Sequence, residues 1–198
     1  MTVLLSCLAF PLAIVIGLAV AVGRQHGPSL LKPLLAGYVE VLRGTPLMLQ
    51  LYAIFFLLPK VGLALPAVVA AVAGLALNYS AYESEIYRAG LKAVPQSQFE
   101  AAVALGMTKW QALRHVIVPQ AVRLVMPPVT NDFIALFKDT SVCSVITVIE
   151  LTKRYSVLAL STGRIVELAV VTAILYLVMS WPLSLLSRRF EAQQERRP

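Results

Sequence analysis

Four polar or charged residues interrupt one otherwise apolar stretch of the sequence. They are Asn131, Asp132, Lys138 and Asp139. Charges in apolar surroundings are costly, so they usually line a path for a ligand or pair with one another. A spacing of seven places Asn131 with Lys138, and Asp132 with Asp139, on adjoining faces of a helix. Carboxylates could hold an ammonium group and Lys138 a carboxylate, which fits a zwitterion; the alternative is a salt-bridge network that only joins helices.

A second polar segment, residues 78–85, ends another apolar run and would lie at a similar depth if the two helices are antiparallel. The two segments together give a candidate ligand-binding set: Asn78, Tyr82, Glu85, Asn131, Asp132, Lys138, Asp139, Thr140 and Ser141. Asp139, Thr140 and Ser141 could equally line an interface between subunits. Glu83 lies two residues from Glu85, so on a helix it points to a different side. Glu150 and Glu167 are predicted to be solvated.

The sequence offers little for covalent catalysis or metal binding. It contains no G-x-x-x-x-G-K-[ST] phosphate loop and no Ser/His/Asp or Cys/His arrangement. Cys7 and Cys143 lie in apolar runs without zinc-ligand spacing, and there are only two histidines. We therefore predict a protein that is not an enzyme and that holds no metal or cofactor of its own.

Composition indicates that these residues are positioned by helices in a lipid bilayer. Of the 198 residues 59% are hydrophobic and 14% charged, and the mean hydropathy is +0.78. A soluble domain is closer to a quarter charged. The apolar runs are long and do not alternate as barrel strands do, which favours helices. We predict an all-α membrane protein with one domain, 1–198, and about five spans: 2–22, 45–58, 66–86, 127–151 and 165–186.

Basic residues are distributed unequally between the predicted loops. Twelve fall on one side: Arg24, Lys32, Arg43, Arg88, Lys92, Lys109, Arg114, Arg123, Arg188, Arg189, Arg196 and Arg197. Four fall on the other: Lys60, Lys153, Arg154 and Arg164. Lys and Arg concentrate in cytoplasmic loops, so we expect the N-terminus outside and the loop 88–126 and the C-terminus in the cytoplasm. The net charge of +7 is thereby accounted for without nucleic-acid binding.

The loop 88–126 is predicted to form two short helices. Ser97 with Glu100, and Thr108 with Gln111, have the spacing of capping boxes, and Gly106 falls where a glycine would end the first helix. Its surface of Ala and Gly would allow another protein to approach closely. The alternative is an ordinary connecting loop with an amphipathic helix on the membrane surface.

This loop resembles the "EAA" signature of ABC-importer permeases. Glu100-Ala101-Ala102 is followed after three residues by Gly106 and after nine more by Val116-Ile117-Val118-Pro119. Val116 and Val118 stand where Ile and Leu are usual. Further segments resemble the polar amino-acid uptake branch, the histidine/glutamine/arginine type: 43–47, 82–88 with Ala89 as a departure, Pro127-Pro128 with Asn131, and 138–141.

The resemblance implies a type I importer fold in a bacterial inner membrane and transport of a polar amino acid. It implies a second permease subunit, identical or homologous, two cytoplasmic ATP-binding subunits that hold the ATP and Mg²⁺, and a periplasmic or lipid-anchored amino-acid-binding protein. The coupling residues would be Glu100, Ala101, Ala102, Leu105 and Gly106. It also implies that Glu85 pairs with an arginine near the cytoplasmic gate. An importer permease for another small solute and a stand-alone carrier remain as alternatives.

Overall fold

Helices account for the whole regular structure of the described part of the chain. The computed structural model describes the backbone of residues 1–195 and the side chains of residues 1–189. Its α-helices are α1 (Thr2–His26), α2 (Leu31–Gly44), α3 (Leu47–Tyr52), α4 (Ala67–Ala93), α5 (Gln96–Ala104), α6 (Lys109–Ala112), α7 (Val118–Asp139), α8 (Leu151–Thr162) and α9 (Ile165–Glu195). Within residues 1–195 there is no strand, and the predicted all-α class is confirmed.

Helices α1 and α4 form the centre of the fold, and small residues bring them together. Leu5, Ala9 and Ala13 recur every four residues on α1 and are fully buried. The same row continues at Gly17, where a Cβ atom would lie 2.7 Å from the Cβ of Glu83 and 2.9 Å from the carbonyl oxygen of Ser80. Small residues at such positions let helix backbones approach closely, which maximises dispersion contacts between helices that lipid alone would not drive together.

A bent helical pair, α2 with the segment from Leu47 to Val61, wraps one side of this centre. The two halves meet at an angle of 110°. Val39 of α2 is buried against α1 and α4, in a cluster with Val20 and Ala81. The predicted span 45–58 is not one α-helix, because α3 passes into a π-helical turn and then a 3₁₀ turn, Leu58–Val61, that ends at Gly62 with φ +89°.

Among the described residues, two helices are long and apolar enough to cross a bilayer: Thr2–His26 and Ile165–Arg189. The bent pair Leu31–Gly44 with Leu47–Val61 would be a third. The predicted spans 66–86 and 127–151 correspond to α4 and α7. These two helices carry the polar residues 78–85 and 131–139 and are not among the helices apolar enough to cross a bilayer by composition alone. The two helices that carry the candidate ligand residues are therefore the two least apolar of the predicted spans.

The region of the predicted span 127–151 differs from a single helix. Helix α7 begins at Val118, continues through Pro127 and Pro128, and ends at Asp139. Residues Thr140–Ile146 form a 3₁₀ segment. The hydroxyl of Thr140 donates to the carbonyl oxygen of Phe137 at 2.7 Å, a local bond that competes with continuation of the α-helix. The chain then turns into α8, an additional helix that hydropathy did not indicate.

Candidate ligand cavity

A cavity of about 510 Å³ opens between the α2–α3 junction, α4 and α7. Its walls are formed by residues 43–47 of the junction, by Asn78, Tyr79 and Tyr82 of α4, and by Asp132, Ala135 and Asp139 of α7. Two carboxylates and one guanidinium therefore line the same open cavity as two phenol rings and an amide. Such a volume accommodates a small molecule, and convergent polar groups of both signs suit one that carries both charges.

The α2–α3 junction is held in place by a partly buried network centred on Gln50. The Gln50 amide donates to the carbonyl oxygen of Leu42 at 2.8 Å and to that of Thr45 at 3.1 Å. Asn78 of α4 donates to the Gln50 side-chain oxygen at 3.0 Å. Asn78, one of the predicted ligand residues, therefore also fixes the cavity wall. Gln50 was not predicted, because a single glutamine in an apolar helix carries no spacing signal.

The opposite side of the cavity is organised by tyrosines. The hydroxyl of Tyr79 donates to Oδ2 of Asp139 at 2.7 Å, which joins α4 to the end of α7. The guanidinium of Arg43 lies 5.3 Å from the ring centroid of Tyr82, a cation–π contact. Tyr79 and Arg43 were not among the predicted ligand residues, although Tyr79 is nearly one helical turn from Tyr82.

The cavity gathers four of the predicted ligand residues: Asn78, Tyr82, Asp132 and Asp139. The others lie outside its lining. Lys138 is exposed, Ser141 is half-buried, and Thr140 is buried against Phe137. Asn131 accepts a hydrogen bond from Ser187 of α9 at 2.9 Å, so it joins two helices.

Glu85 lies in an ion-pair cluster at the basic end of α1. Its carboxylate accepts from Arg24 of α1 and from Arg88 of α4. Because the pair with Arg24 crosses between helices, it fastens the end of α1 to α4. Glu85 thus has two cationic partners within the protein and does not line the cavity.

Glu150 corrects another expectation, since it is buried rather than solvated. Only 2% of its surface is exposed. Its carboxylate caps α8 by accepting from the backbone N–H of Thr152 at 2.7 Å and of Lys153 at 2.6 Å. It also accepts from the Tyr176 hydroxyl at 3.0 Å. Three donors thus compensate its burial. Glu167 is exposed, as predicted.

The loop between α4 and α7 ends its first helix with a complete Schellman motif. Gly106, with φ +85°, donates to the carbonyl oxygen of Val103 at 2.9 Å, and Met107 donates to that of Ala102 at 3.1 Å. The predicted capping box of Thr108 and Gln111 is present. The one predicted from Ser97 is not, because α5 begins at Gln96 with Pro95 as its N-cap.

The predicted coupling residues of this loop differ in their exposure to solvent. Glu100, Ala101, Leu105 and Gly106 are exposed, and Leu105 exposes 82% of its surface. Ala102 is buried and faces the interior instead. Trp110 adds a further apolar side chain that is 66% exposed. The loop therefore presents an apolar surface on rigidly capped helices, a combination typical of a docking site.

A helical fold with apolar spans, an internal polar cavity and an exposed helical loop defines a transport permease. The chain belongs to the family of inner membrane components of binding-protein-dependent transport systems, whose family model matches residues 13–197. It is 37% identical over 196 residues to the L-cystine transport system permease protein TcyB of Bacillus subtilis, covering 98% of this chain and 84% of that protein. It is 34% identical over 197 residues to the glutamine transport system permease protein GlnP of Escherichia coli, covering 98% and 90%.

Solved structures agree with this assignment. The crystal structure of an amino acid ABC transporter with histidines matches with a TM-score of 0.92 and 39% identity, over 98% of this chain and 90% of that chain. The MetNI methionine ABC transporter, in an inward-facing conformation, matches with a TM-score of 0.78 and 20% identity, over 96% and 92%. The second match shows the fold alone. The type I importer permease fold implied by the sequence is confirmed.

Proposed function

We propose that this chain is the membrane-spanning subunit of an ATP-driven importer and that it carries a polar amino acid through the cavity between α2–α3, α4 and α7. The observation that carries the proposal is that Arg43, Asp132 and Asp139, groups of both charges, line the same cavity. The relatives named for cystine and for glutamine, and the amino acid ABC transporter whose structure was solved with histidines, support the same class of cargo.

The cavity suits the common head group of amino acids. The Arg43 guanidinium is a fork of donors that suits an α-carboxylate. Asp139, held by Tyr79, is a carboxylate that suits an α-ammonium group. Because Tyr79 fixes Oδ2 at 2.7 Å, the carboxylate is oriented before the ligand arrives, which lowers the entropy lost on binding.

The partners follow from the loop between α4 and α7. Two cytoplasmic ATP-binding subunits would dock on the exposed surface of Glu100, Leu105 and Trp110, one on each of two permease subunits, and would hold the ATP and its Mg²⁺. A binding protein outside the membrane would deliver the amino acid. Movement of the docked loop would be transmitted to α4 and α7, the helices directly attached to it, and would rock the cavity between the two sides.

The test is to isolate the tagged chain from membranes of its source organism and to measure the ATPase activity that co-purifies. Wild type should retain an ATP-binding subunit, whereas Glu100→Ala combined with Gly106→Asp should lose it. The matched control is Gln98→Ala, an exposed residue of the same helix, which should retain it. Reconstituted uptake of a labelled amino acid without any ATPase would instead support a stand-alone carrier.

A further inference from the structure

The outward face of α9 is a continuous apolar stripe. Its members recur every three or four residues and each exposes between 44% and 61% of its surface: Val170, Ile174, Leu177, Val178, Trp181 and Leu185. Side chains at this spacing lie on one side of a helix. No residue in the most apolar part of α9 is buried within the chain. The stripe is therefore open to a partner outside this chain.

Two arginines end the stripe. Arg188 continues it three residues after Leu185, Arg189 follows, and both are exposed without an ion pair to any described residue. Their direction is fixed by Ser187, which is buried and donates to Asn131 of α7 at 2.9 Å. Because an α-helix turns by about 100° per residue, the two side chains that follow Ser187 point away from α7. The stripe and both guanidinium groups therefore share one outward surface.

The length of α9 places these arginines at the level of lipid headgroups. The apolar run 165–186 has 22 residues, which is about 33 Å of helix and matches a hydrocarbon core of about 30 Å. Trp181 lies seven residues before Arg188, about 10 Å closer to the middle of the helix. Tryptophan is enriched where hydrocarbon meets headgroups, so Trp181 and Arg188 mark the two sides of that boundary.

Net charge distinguishes the two ends of α9. At its start Arg164 precedes the helix and Glu167 lies in the first turn, so one charge of each sign is present. At the other end Arg188 and Arg189 add two positive charges. Residues 190–198 contain two glutamates and two arginines, which leave this balance unchanged. The end with Arg188 and Arg189 is therefore the one that attracts an anion.

A second copy of this chain is the other candidate to cover the stripe. Two copies with the same orientation in a membrane are related by a two-fold axis perpendicular to the bilayer, so residues of equal depth meet. Contact along the stripe would bring four guanidinium groups together, two from each copy. Like charges repel, whereas a phosphate among these groups is attracted. The charge of this face therefore favours an anionic lipid over a second copy.

We propose that the outward face of α9 binds an anionic phospholipid, with its acyl chains along the stripe and its phosphate at Arg188 and Arg189. A guanidinium is a planar fork of donors that matches the oxygens of a phosphate. Trp181 packs against the upper part of the acyl chains and keeps its N–H at the polar boundary. This lipid site is separate from the cavity and from the proposed transport function.

Quenching of Trp181 fluorescence by brominated lipids tests the proposal. The sequence contains two tryptophans, so the full chain with Trp110→Phe reports from Trp181 alone. It is reconstituted into phosphatidylcholine vesicles with an increasing share of brominated phosphatidylcholine or brominated phosphatidylglycerol. The two quenching curves give the binding constant of phosphatidylglycerol relative to phosphatidylcholine at this face. An arginine at a membrane surface favours an anionic lipid by roughly fivefold and salt screens part of the effect, so we expect a ratio of at least about three.

Charge variants separate the arginines from the apolar stripe. Arg188→Gln combined with Arg189→Gln should lower the ratio to about one, since the attracting charge is lost, and should leave quenching by brominated phosphatidylcholine unchanged. Arg188→Lys with Arg189→Lys keeps the charge and should keep most of the ratio. Arg164→Gln, at the opposite end of α9, is the matched control and should change nothing. Salt at about 1 M, where the Debye length is about 3 Å, should lower the ratio.

Three results would overturn the proposal. Equal binding of the two lipids in the Trp110→Phe chain would exclude a preference for anionic lipid. A ratio that survives both the glutamine substitutions and high salt would place the preference away from these arginines. Protection of Trp181 from both brominated lipids would show that a second copy covers the face. The salt titration needs no charge variant, so the test holds even if the glutamine variant does not fold. Neither ATP nor an amino acid is involved, so the result is independent of the proposed transport function.

Discussion

At the scale of single residues, Asp139 combines a structural contact with a position in the wall of the proposed ligand cavity. It accepts the Tyr79 hydroxyl at 2.7 Å with one oxygen, and it lines the cavity. Asp139→Asn keeps the size of the side chain and removes its charge. We expect the KM for amino-acid uptake by the reconstituted importer to rise about tenfold, because a charged partner of the substrate ammonium is lost at a cost of roughly 1.5–3 kcal/mol.

The matched control for this variant is Glu167→Gln, which neutralises an exposed carboxylate at the start of α9. Its KM should equal that of wild type. If Asp139→Asn also transported with an unchanged KM, Asp139 would be a structural partner of Tyr79 alone.

Glu150 supports the packing of α8 against α9. Replacing it with alanine removes the acceptor of two backbone N–H groups and of the Tyr176 hydroxyl. We expect Glu150→Ala to lower the free energy of unfolding by about 1–2 kcal/mol for the lost cap, and more if the Tyr176 hydroxyl stays buried. Thermal denaturation of the purified protein in detergent measures this effect.

Glu150→Gln and Tyr176→Phe separate the contribution of the helix cap to stability from that of the Tyr176 hydroxyl. Glutamine retains one acceptor oxygen, so its loss of stability should be smaller than that of alanine. Phenylalanine removes the hydroxyl that contacts both Glu150 and Thr152 and should cost about 1–2 kcal/mol. Equal stability of all three variants and wild type would mean that the cap contributes nothing.

The sequence indicated part of the cavity and missed part, for physical reasons. Asn78, Asp132 and Asp139 stand out because polar groups are rare in apolar helices. Gln50 and Arg43 act through a bend of the chain that brings α3 back over α4, and such a contact has no local pattern. The positions of Lys138 and Thr140 depend on where α7 ends.

At the scale of helices, the contact of α1 with α4 depends on Gly17. A Cβ atom there would lie 2.9 Å from the carbonyl oxygen of Ser80, a backbone atom that cannot rotate away. We expect Gly17→Ala to separate the helices and to cost about 1–3 kcal/mol of stability, as overpacking of an interior does. Thermal denaturation in detergent measures the shift.

Gly37→Ala in α2 is the control, because nothing lies within 4 Å of the Cβ it would add. It should be neutral or slightly stabilising, since alanine favours helix over glycine by about 1 kcal/mol. A Gly17→Ala variant as stable as Gly37→Ala would show that α1 can shift without cost.

The loop between α4 and α7 is ordered by two caps, the Schellman motif at Gly106 and the capping box of Thr108. Gly106 has φ +85°, where a Cβ is disfavoured, so Gly106→Ala should cost roughly 1 kcal/mol. Thr108→Ala should cost about 1 kcal/mol through loss of the capping box. Faster amide hydrogen exchange in residues 96–112 and reduced co-purification of the ATP-binding subunit are the expected results.

Thr108→Ser keeps the hydroxyl and is the matched control for the cap. It should exchange as slowly as wild type and retain the ATP-binding subunit. Unchanged exchange in Thr108→Ala would mean that packing of Phe99, Leu113 and Val116 in the loop cluster, rather than the cap, orders the segment.

Helix ends show why the elements themselves were only partly predictable. Gly106 and the pair Thr108–Gln111 act within a few residues, so sequence spacing identified them. The cap of α8 by Glu150 also involves the Tyr176 hydroxyl, and the Leu151 N–H at the start of α8 donates to the Thr2 hydroxyl. These partners lie far away in sequence, so hydropathy along the chain does not indicate them. The capping box predicted from Ser97 and Glu100 does not form, because the helix begins earlier, at Gln96 with Pro95 as its N-cap.

At the scale of the whole molecule, an ion-pair cluster marks the end of α1 where the chain of α4 leads into the following loop. Arg24 and Arg88 meet there at Glu85, at the entrance to the loop that begins after α4. The basic residues counted in the sequence are consistent with this end facing the cytoplasm. Helix α4, which is less apolar than α1 and α9, would then cross the bilayer while surrounded by other helices, and its polar residues would face protein rather than lipid.

This orientation predicts opposite accessibility of two positions that flank α4. Lys60 precedes the helix and Gln98 follows it, and both are exposed. The test uses a Cys7→Ser background, in which the remaining cysteine, Cys143, is buried. In intact spheroplasts, Lys60→Cys should react with a membrane-impermeant maleimide. Gln98→Cys should react only after the membrane is permeabilised, because this orientation places the loop after α4 on the cytoplasmic side.

The Cys7→Ser chain without an added cysteine provides the background, and a denatured sample of each variant gives the full labelling level. Reaction of Gln98→Cys in intact cells with protection of Lys60→Cys would invert the orientation. If both cysteines reacted on the same side, α4 would not cross the bilayer and the prediction of five spans would be wrong. Opposite sides would establish that a helix with buried Glu83 and Asn78 spans the bilayer, which is possible only if neighbouring helices shield these side chains from lipid.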